Sequence, residues 1–184
     1  MPPPSQSLAS VWGDLVDRVP IPNAVYRGGA GDPTVVDGFI VREASPDDVP
    51  AVLGLLGDLG RPGPAGRSEA EEFERMVEGY IVDGDKRVLV ALVGGRVVGM
   101  ASVVLLPRLN HVTRELYVPE LVVSSQYRRR GLGKALVGRC VKIAAENGCH
   151  RMRLESGNRR TDSHRFYRDL GFEQSALSFS KRTG

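Results

Sequence analysis

Residues 126–136, QYRRRGLGKAL, bring three arginines, two glycines and a lysine together in eleven positions. A phosphate-binding glycine turn, a basic patch for nucleic acid and a solvated charged loop can all have this composition. A nucleotide-binding P-loop needs serine or threonine after its lysine, but Ala135 follows Lys134. A dinucleotide fingerprint needs a third glycine where Leu136 stands. A nucleic-acid patch would also carry aromatic side chains interleaved with its arginines, and these are missing.

The two glycines stand between a valine-rich segment, residues 121–123, and the start of a predicted helix. Glycine lets the backbone approach a ligand closely, and a helix N-terminus offers free N–H groups at the positive end of its dipole. Arginine adds charge-assisted hydrogen bonds to phosphate oxygens. The sequence therefore predicts a pyrophosphate site at this turn.

The composition is that of a soluble protein of one globular domain. The 184 residues are 41% hydrophobic and 26% charged, enough for a substantial core. A net charge of +3 is too small to indicate nucleic acid by itself. Cys140 and Cys149 form neither a disulfide framework nor a zinc pattern. No segment resembles a signal peptide or reaches the roughly 18 apolar residues of a membrane span, so we expect a cytoplasmic protein without membrane contact.

Apolar periodicity and turn residues predict one mixed α/β sheet. Helices should follow Ser45, an N-cap before proline, and a capping box at residues 68–71. Gly94 and Gly95 suit a primed hairpin turn, and Pro119 suggests a bulge in its strand. The expected strands are residues 39–42, 87–93, 96–106, 116–123, 151–154 and 172–179, and the last two helices follow Gly133 and residues 161–162.

Residues 1–38 differ from the rest, with three early prolines and a glycine-rich run at 27–33. Apolar residues at spacings of three and four predict one short amphipathic helix between these features: Leu8, Val11, Trp12, Leu15, Val16 and Val19. We favour a helix docked on its own domain, and a homodimer contact or a flap over the substrate is the alternative. We divide the chain into this extension, residues 1–38, and a catalytic domain, residues 39–184.

The pattern Arg128-x-x-Gly131-x-Gly133 resembles the acetyl-CoA signature of the GNAT superfamily of N-acetyltransferases. Residues 166–172, FYRDLGF, resemble the late FYxxLGF element of that family, and the order of elements also agrees over roughly residues 39–180. The resemblance implies the GNAT fold, an α/β fold whose mixed, mostly antiparallel sheet has splayed parallel central strands and flanking helices.

The same resemblance implies acetyl-CoA as cosubstrate and no metal. The CoA pyrophosphate would lie on backbone N–H groups of the signature turn, and the pantetheine arm would pair with a strand as an added strand does. A backbone N–H of that strand would also stabilise the oxyanion. Asn158 is assigned to the pantetheine, although it lies nine residues before Tyr167 and the family asparagine lies about seven before its tyrosine. The implied cofactor-binding residues are Leu121, Val122, Val123, Arg128, Arg129, Arg130, Gly131, Gly133, Lys134 and Asn158.

Two side chains are assigned to catalysis. Tyr167 matches the family tyrosine that protonates the departing thiolate, and its alternative role is aromatic packing. Many relatives carry a glutamate base where Pro119 stands, so Glu120 can serve only if a bulge turns it to the correct face. The alternatives for the base are bulk water or one of Glu115, Tyr117 and His164.

The predicted function is transfer of an acetyl group from acetyl-CoA to a primary amine of an unidentified small-molecule or protein acceptor, through a ternary complex. An acyl-CoA-binding regulatory module with little turnover is the alternative, supported by Pro119 at the expected base position. Nucleic-acid binding by residues 128–130 is disfavoured by the small net charge.

Overall fold

One sheet with helices on both faces makes up the computed structural model, which describes residues 33–36, 38–60 and 63–183. The described strands are β1 (Thr34–Val36), β2 (Phe39–Glu43), β3 (Lys86–Val93), β4 (Arg96–Leu106), β5 (Glu115–Val118), β6 (Leu121–Val123) and β7 (Arg151–Leu154). The helices are α1 (Val49–Asp58), α2 (Arg67–Val82), α3 (Leu132–Glu146) and α4 (Thr161–Asp169).

The sheet runs in the order β1-β2-β3-β4-β5-β7, and β6 also pairs with β4. Every pair is antiparallel except β5 with β7. β3 and β4 form the predicted hairpin, with φ of 56° at Gly94 and 79° at Gly95, as a primed turn requires. The mixed, mostly antiparallel sheet predicted from the sequence is therefore confirmed.

Each face of the sheet has its own apolar core. α3 covers one face with Leu132, Leu136 and Cys140, which are almost completely buried. The other core lies between α1, α2 and the opposite sheet face and contains Val49, Val52, Leu55, Val77, Val88, Val90, Met100 and Val122. Among the described residues, no helix has the length and apolar character needed to cross a membrane.

The start of α1 follows the prediction, whereas the start of α2 does not. Asp48 accepts hydrogen bonds from the backbone N–H and hydroxyl of Ser45, and a 3₁₀ turn leads into α1. The capping box predicted at Ser68 is wrong, because α2 already begins at Arg67 after Gly66. The Glu69 carboxylate accepts the Ala65 N–H at 2.5 Å, so this acidic residue stabilises the loop before the helix.

Both ends of the domain differ from the prediction. Residues 34–36, assigned to the extension, form β1 on the edge of the sheet, and the helix predicted within residues 8–19 lies outside the described residues. The predicted strand over residues 172–179 is wrong, because residues 173–183 form no helix or strand. An alternating pattern needs a partner strand for its backbone groups. None of the described strands pairs with this segment, and Leu177 and Phe179 are exposed.

Glu115 joins β5 to β7 at the start of both strands. It is fully buried, and its carboxylate lies 2.6 Å from Arg151 Nη2, 3.1 Å from Arg153 Nε and 3.7 Å from Arg108 Nη1. Burial alone would raise the pKa of Glu115, but hydrogen bonds and charges from Arg151 and Arg153 outweigh burial and lower it.

Replacement of Glu115 by alanine should lower the free energy of unfolding by roughly 2 kcal/mol at pH 7, because the arginines lose their common partner while keeping partial access to water. The folded-state pKa lies below that of the unfolded chain. The stabilisation is therefore complete above about pH 4.3 and is lost as the pH falls through the folded-state value. Urea denaturation at pH 7 and pH 3 measures both effects. Glu78→Ala, on the exposed side of α2, is the control, and equal stability of the two variants at pH 7 would contradict the assignment.

Candidate functional site

Pro119 divides one long strand into β5 and β6, and the pairing with β4 changes register between them. Val104 lies opposite Tyr117, whereas Ala101 lies opposite Leu121. β4 thus advances three positions while its partner advances four. One extra residue in one strand is a β-bulge, as the sequence predicts for Pro119.

The bulge changes which side chains share a face of the sheet. Without it, Glu120 would point away from the face that carries Tyr117. With the extra residue, Glu120 lies opposite Ser102 on the same face as Tyr117 and Val122, the face that α1 and α2 cover. The Ser102 hydroxyl donates to Glu120 Oε2 at 2.5 Å.

β6 and β7 separate beyond the bulge. β5 pairs with β7 as far as Val118 opposite Leu154, after which β6 pairs only with β4. The backbone of Glu120 and Ser124 bonds toward β4. Because alternate residues of an antiparallel strand face its partner, Leu121 and Val123 direct their backbone groups to the open side and Val122 directs its own to β4. The predicted splay of two parallel strands is present.

A cleft of about 260 Å³ opens at this separation. Of the predicted site residues it contains Leu121 and Tyr167, beside the bulge residue Pro119. Asn158 lies on an exposed turn and is not among the lining residues. The cleft is lined by Leu59, Gly60, Val118, Pro119, Leu121, Glu155, Ser156, Gly157, Arg160, Ser163 and Tyr167.

Arg160 is the cleft residue that the sequence analysis missed most clearly. Its Nη2 donates to the carbonyl oxygen of Leu59, the C-cap residue of α1, at 2.8 Å. Arg160 stands seven residues before Tyr167, the spacing at which the resemblance places an asparagine. That spacing was the signal that could have found it. Glu155, Ser156 and Ser163 follow β7 or start α4 without a motif of their own.

Tyr167 lies on α4, half-buried, with its ring edge-on to Phe172 at 5.7 Å between centroids. Burial raises the pKa of Tyr167, and the nearby charge of Arg160 acts in the opposite direction. The phenol is therefore protonated at neutral pH and is able to donate its proton into the cleft.

The glycine turn joins β6 to α3 through a 3₁₀ turn at Ser125–Tyr127. Gly131 is the N-cap of α3 with φ of 86°, and Arg129 has φ of 60°, the one positive φ among the described non-glycine residues. A left-handed conformation costs such a residue about 1–2 kcal/mol. Backbone strain of this kind concentrates at functional turns.

The first turn of α3 has unused hydrogen-bond donors. The Ala135 N–H donates to the Gly131 carbonyl, so the N–H groups of Leu132, Gly133 and Lys134 have no acceptor within the helix. No side chain caps this end of the helix. Converging N–H groups and the helix dipole together make an anion site.

The arginines of the turn are exposed around this site. Arg128 Nε donates to the Val123 carbonyl at 3.1 Å, and the Arg130 guanidinium lies 5.3 Å from the centroid of the Tyr127 ring. Arg129 is also exposed. The turn is thus built on backbone groups, with positive charges around it.

Gly133 is required by packing. A Cβ at this position would lie 3.3 Å from the Phe166 ring and 4.0 Å from Val123. The second glycine of the signature therefore lets α3 pack closely against α4. It also links the glycine turn to the late FYRDLGF segment, to which Phe166 belongs.

None of the candidate bases is among the cleft-lining residues, and this includes Glu120, although its neighbours Pro119 and Leu121 line the cleft. Glu115 is buried among arginines, and Arg153 covers the Tyr117 ring at 4.4 Å from its centroid. His164 Nε2 lies 3.1 Å from the Gly157 carbonyl oxygen on the exposed surface. Within the described part of the chain, no group of three or more His, Cys, Asp or Glu residues could hold a metal ion.

A family model described as "Acetyltransferase (GNAT) family" matches residues 55–172. The chain is 28% identical over 141 residues to the aminoalkylphosphonate N-acetyltransferase of Salmonella typhimurium, covering 77% of this chain and 89% of that protein. It is 37% identical over 79 residues to the glucosamine 6-phosphate N-acetyltransferase of Trypanosoma brucei brucei, which covers 42% of this chain and 52% of that protein. A crystal structure of a transcriptional regulator from Bacillus halodurans C-125 is 28% identical, with a TM-score of 0.72 over 78% of this chain and 98% of that one.

Replacement of Gly133 by alanine should lower the free energy of unfolding by about 1 kcal/mol or more, because the new Cβ would crowd the Phe166 ring. Gly54→Ala is the matched control, since this exposed glycine of α1 has no atom within 4 Å of an added Cβ. It should raise stability by up to about 1 kcal/mol. Urea denaturation without ligand separates this packing role from any binding role, and a Gly133→Ala variant as stable as Gly54→Ala would contradict it.

Proposed function

Because the chain belongs to the acetyltransferase (GNAT) family, we propose that it transfers an acetyl group from acetyl-CoA to the primary amine of an acceptor in a ternary complex. The observation that carries the proposal is the cleft at the separation of β6 and β7. It holds Tyr167, and the strand that forms its open edge continues into the anion site at the start of α3.

In this proposal the signature turn binds the pyrophosphate. The N–H groups of the turn and of the first turn of α3 donate to phosphate oxygens, and the exposed arginines add charge. The residues assigned are Arg128, Arg129, Arg130, Gly131, Gly133 and Lys134.

The pantetheine arm then lies along the open edge of β6, where backbone groups of Leu121 and Val123 are directed outward. Arg128 must release the Val123 carbonyl if that group is to bind the arm. The Val122 side chain packs in the core beneath this edge, and its backbone pairs with β4, so it offers no backbone group to the arm. The exposed position of Asn158 gives no support to its assignment.

The proposed chemistry uses two polar side chains, Glu120 at the bulge and Tyr167 in the cleft lining. The acceptor ammonium loses a proton to Glu120, and the neutral amine attacks the thioester carbonyl. A backbone N–H of β6 stabilises the oxyanion. The carbon–sulfur bond then breaks, and Tyr167 gives its proton to the thiolate that leaves. The former amine nitrogen, which still carries one proton too many, gives that proton to the Tyr167 phenolate, and Glu120 releases its proton to water.

We further propose that the acceptor is a small amine with an anionic group. By their names, the Salmonella and Trypanosoma relatives act on amines that carry a phosphonate or a phosphate. Arg160 and Glu155 line the cleft with opposite charges, which suits a molecule that has both an anion and an ammonium group.

A thiol-release assay with acetyl-CoA tests the function. The acceptor panel consists of 2-aminoethylphosphonate, glucosamine 6-phosphate, putrescine and a lysine-containing peptide. We expect turnover, with the highest kcat/KM for an amine that carries an anion. If CoA raises the melting temperature and no amine is acetylated, the chain is instead a CoA-binding module. The similar structure from Bacillus halodurans C-125 is named a transcriptional regulator, and this favours the CoA-binding module as the second candidate.

Tyr167→Phe should lower kcat about 100-fold or more and leave the Kd for CoA within about twofold, because a phenylalanine ring fills the same space without an acid. Tyr117→Phe, on a tyrosine covered by Arg153 outside the cleft, is the matched control. Steady-state kinetics and calorimetric CoA titration measure the two quantities. If Tyr167→Phe turns over like the control, the acid is assigned wrongly.

Arg160→Gln should raise KM for 2-aminoethylphosphonate roughly tenfold, because a charged hydrogen bond to an anion is lost. KM for putrescine, which has no anion, should change less than about twofold. Arg159→Gln, next in the chain and not among the cleft residues, is the control. If KM changes equally for both acceptors, Arg160 does not bind the anion, and its role is the hydrogen bond to the Leu59 carbonyl.

A further inference from the structure

Ser102 and Glu120 share three hydrogen bonds across the bulge. The Ser102 N–H donates to the Glu120 carbonyl at 3.0 Å, continuing the ladder between β4 and β6. The Ser102 hydroxyl donates to Glu120 Oε2 at 2.5 Å, and the Glu120 N–H donates to the same hydroxyl oxygen at 3.1 Å. One hydroxyl therefore fixes both the backbone and the carboxylate of a single residue.

Ser102 is buried in an apolar strand, so few other groups compete for its hydroxyl. Its exposed fraction is only 4%, within a strand whose neighbours are apolar. A buried hydroxyl without partners costs free energy, so its orientation is set by the groups that it meets. In a regular ladder the Glu120 N–H would donate to a main-chain carbonyl. At the bulge it donates to a side chain, so the hydroxyl takes part in the backbone geometry that the extra residue creates.

α2 closes this region from above the sheet. Burial raises the pKa of Tyr80, and the charge of Glu120 raises it further, which places the Glu120 carboxylate near the tyrosine. Lys86 Nζ lies 5.0 Å from the centroid of the Tyr80 ring. The neighbours of Glu120 thus include a serine fixed in β4 and an aromatic residue of α2.

We propose that Ser102 is a positioning residue that holds the Glu120 carboxylate where it takes the proton from the acceptor ammonium. This inference rests on the proposed function, in which Glu120 is the base. The ammonium proton passes to the carboxylate, and Ser102 keeps its own proton throughout. A glutamate has three side-chain torsions, and a displacement of about 1 Å at a reacting group costs up to about 100-fold in rate.

The test compares Ser102→Ala and Ser102→Cys in the wild-type chain and in Glu120→Gln. The thiol of cysteine is close in size to the hydroxyl and a weak donor, so this variant keeps the core filled. The acceptor is the amine of the panel above with the highest kcat/KM. In the wild-type chain we expect kcat to fall about tenfold or more for both variants, with KM for acetyl-CoA unchanged within about twofold. In Glu120→Gln the same changes should cost less than about twofold.

The opposite results distinguish a failure of the positioning role from a failure of the proposed function. Equal losses in the wild-type chain and in the Glu120→Gln background, or wild-type kcat in Ser102→Ala, would overturn the positioning role. Wild-type kcat in Glu120→Gln would overturn the base assignment and the inference together. Absence of wild-type turnover on every panel amine would overturn the proposed function itself.

Discussion

The site depends on one extra residue opposite β4. Proline has no N–H for a ladder and is tolerated in a strand at a bulge or an edge. At Pro119 the strand gains one residue against β4, and the two halves take different partners. β5 stays with β7, while β6 stays with β4 alone. The cleft is the space left between them, so the change of register creates both the opening and the orientation of Glu120.

A second constraint joins the two sequence motifs. Gly131 provides the left-handed turn that starts α3, and Gly133 allows α3 to approach Phe166 of α4. The late aromatic segment therefore packs against the glycine turn, and Tyr167, next in the chain, lies at the cleft. The arginines have a smaller part in this geometry, since Arg130 stacks on Tyr127 and stays exposed.

Local sequence signals predicted the parts whose cause is local. Positive φ at Gly94 and Gly95, the Ser45 turn and the bulge at Pro119 each depend on a few adjacent residues. The strand expected over residues 172–179 depends on a partner elsewhere in the chain, which no periodicity can show. The proposed role of Ser102 has the same origin, because a serine inside an apolar strand carries no signal until the tertiary fold brings it to the bulge. Arg160 differs, since its spacing of seven residues from Tyr167 is a signal in the sequence itself.

The partners of two carboxylates on one face of the sheet indicate different roles for them. Glu115 is buried beneath arginines, which lower its pKa and make it a weak acceptor of protons. Glu120 lies on the same face beyond the bulge, and its carboxylate bonds the neutral hydroxyl of Ser102. The Ser102 bond fixes the orientation of the proposed base beside the bulge. The arginines instead tie Glu115 to β7, so this carboxylate holds β5 and β7 together.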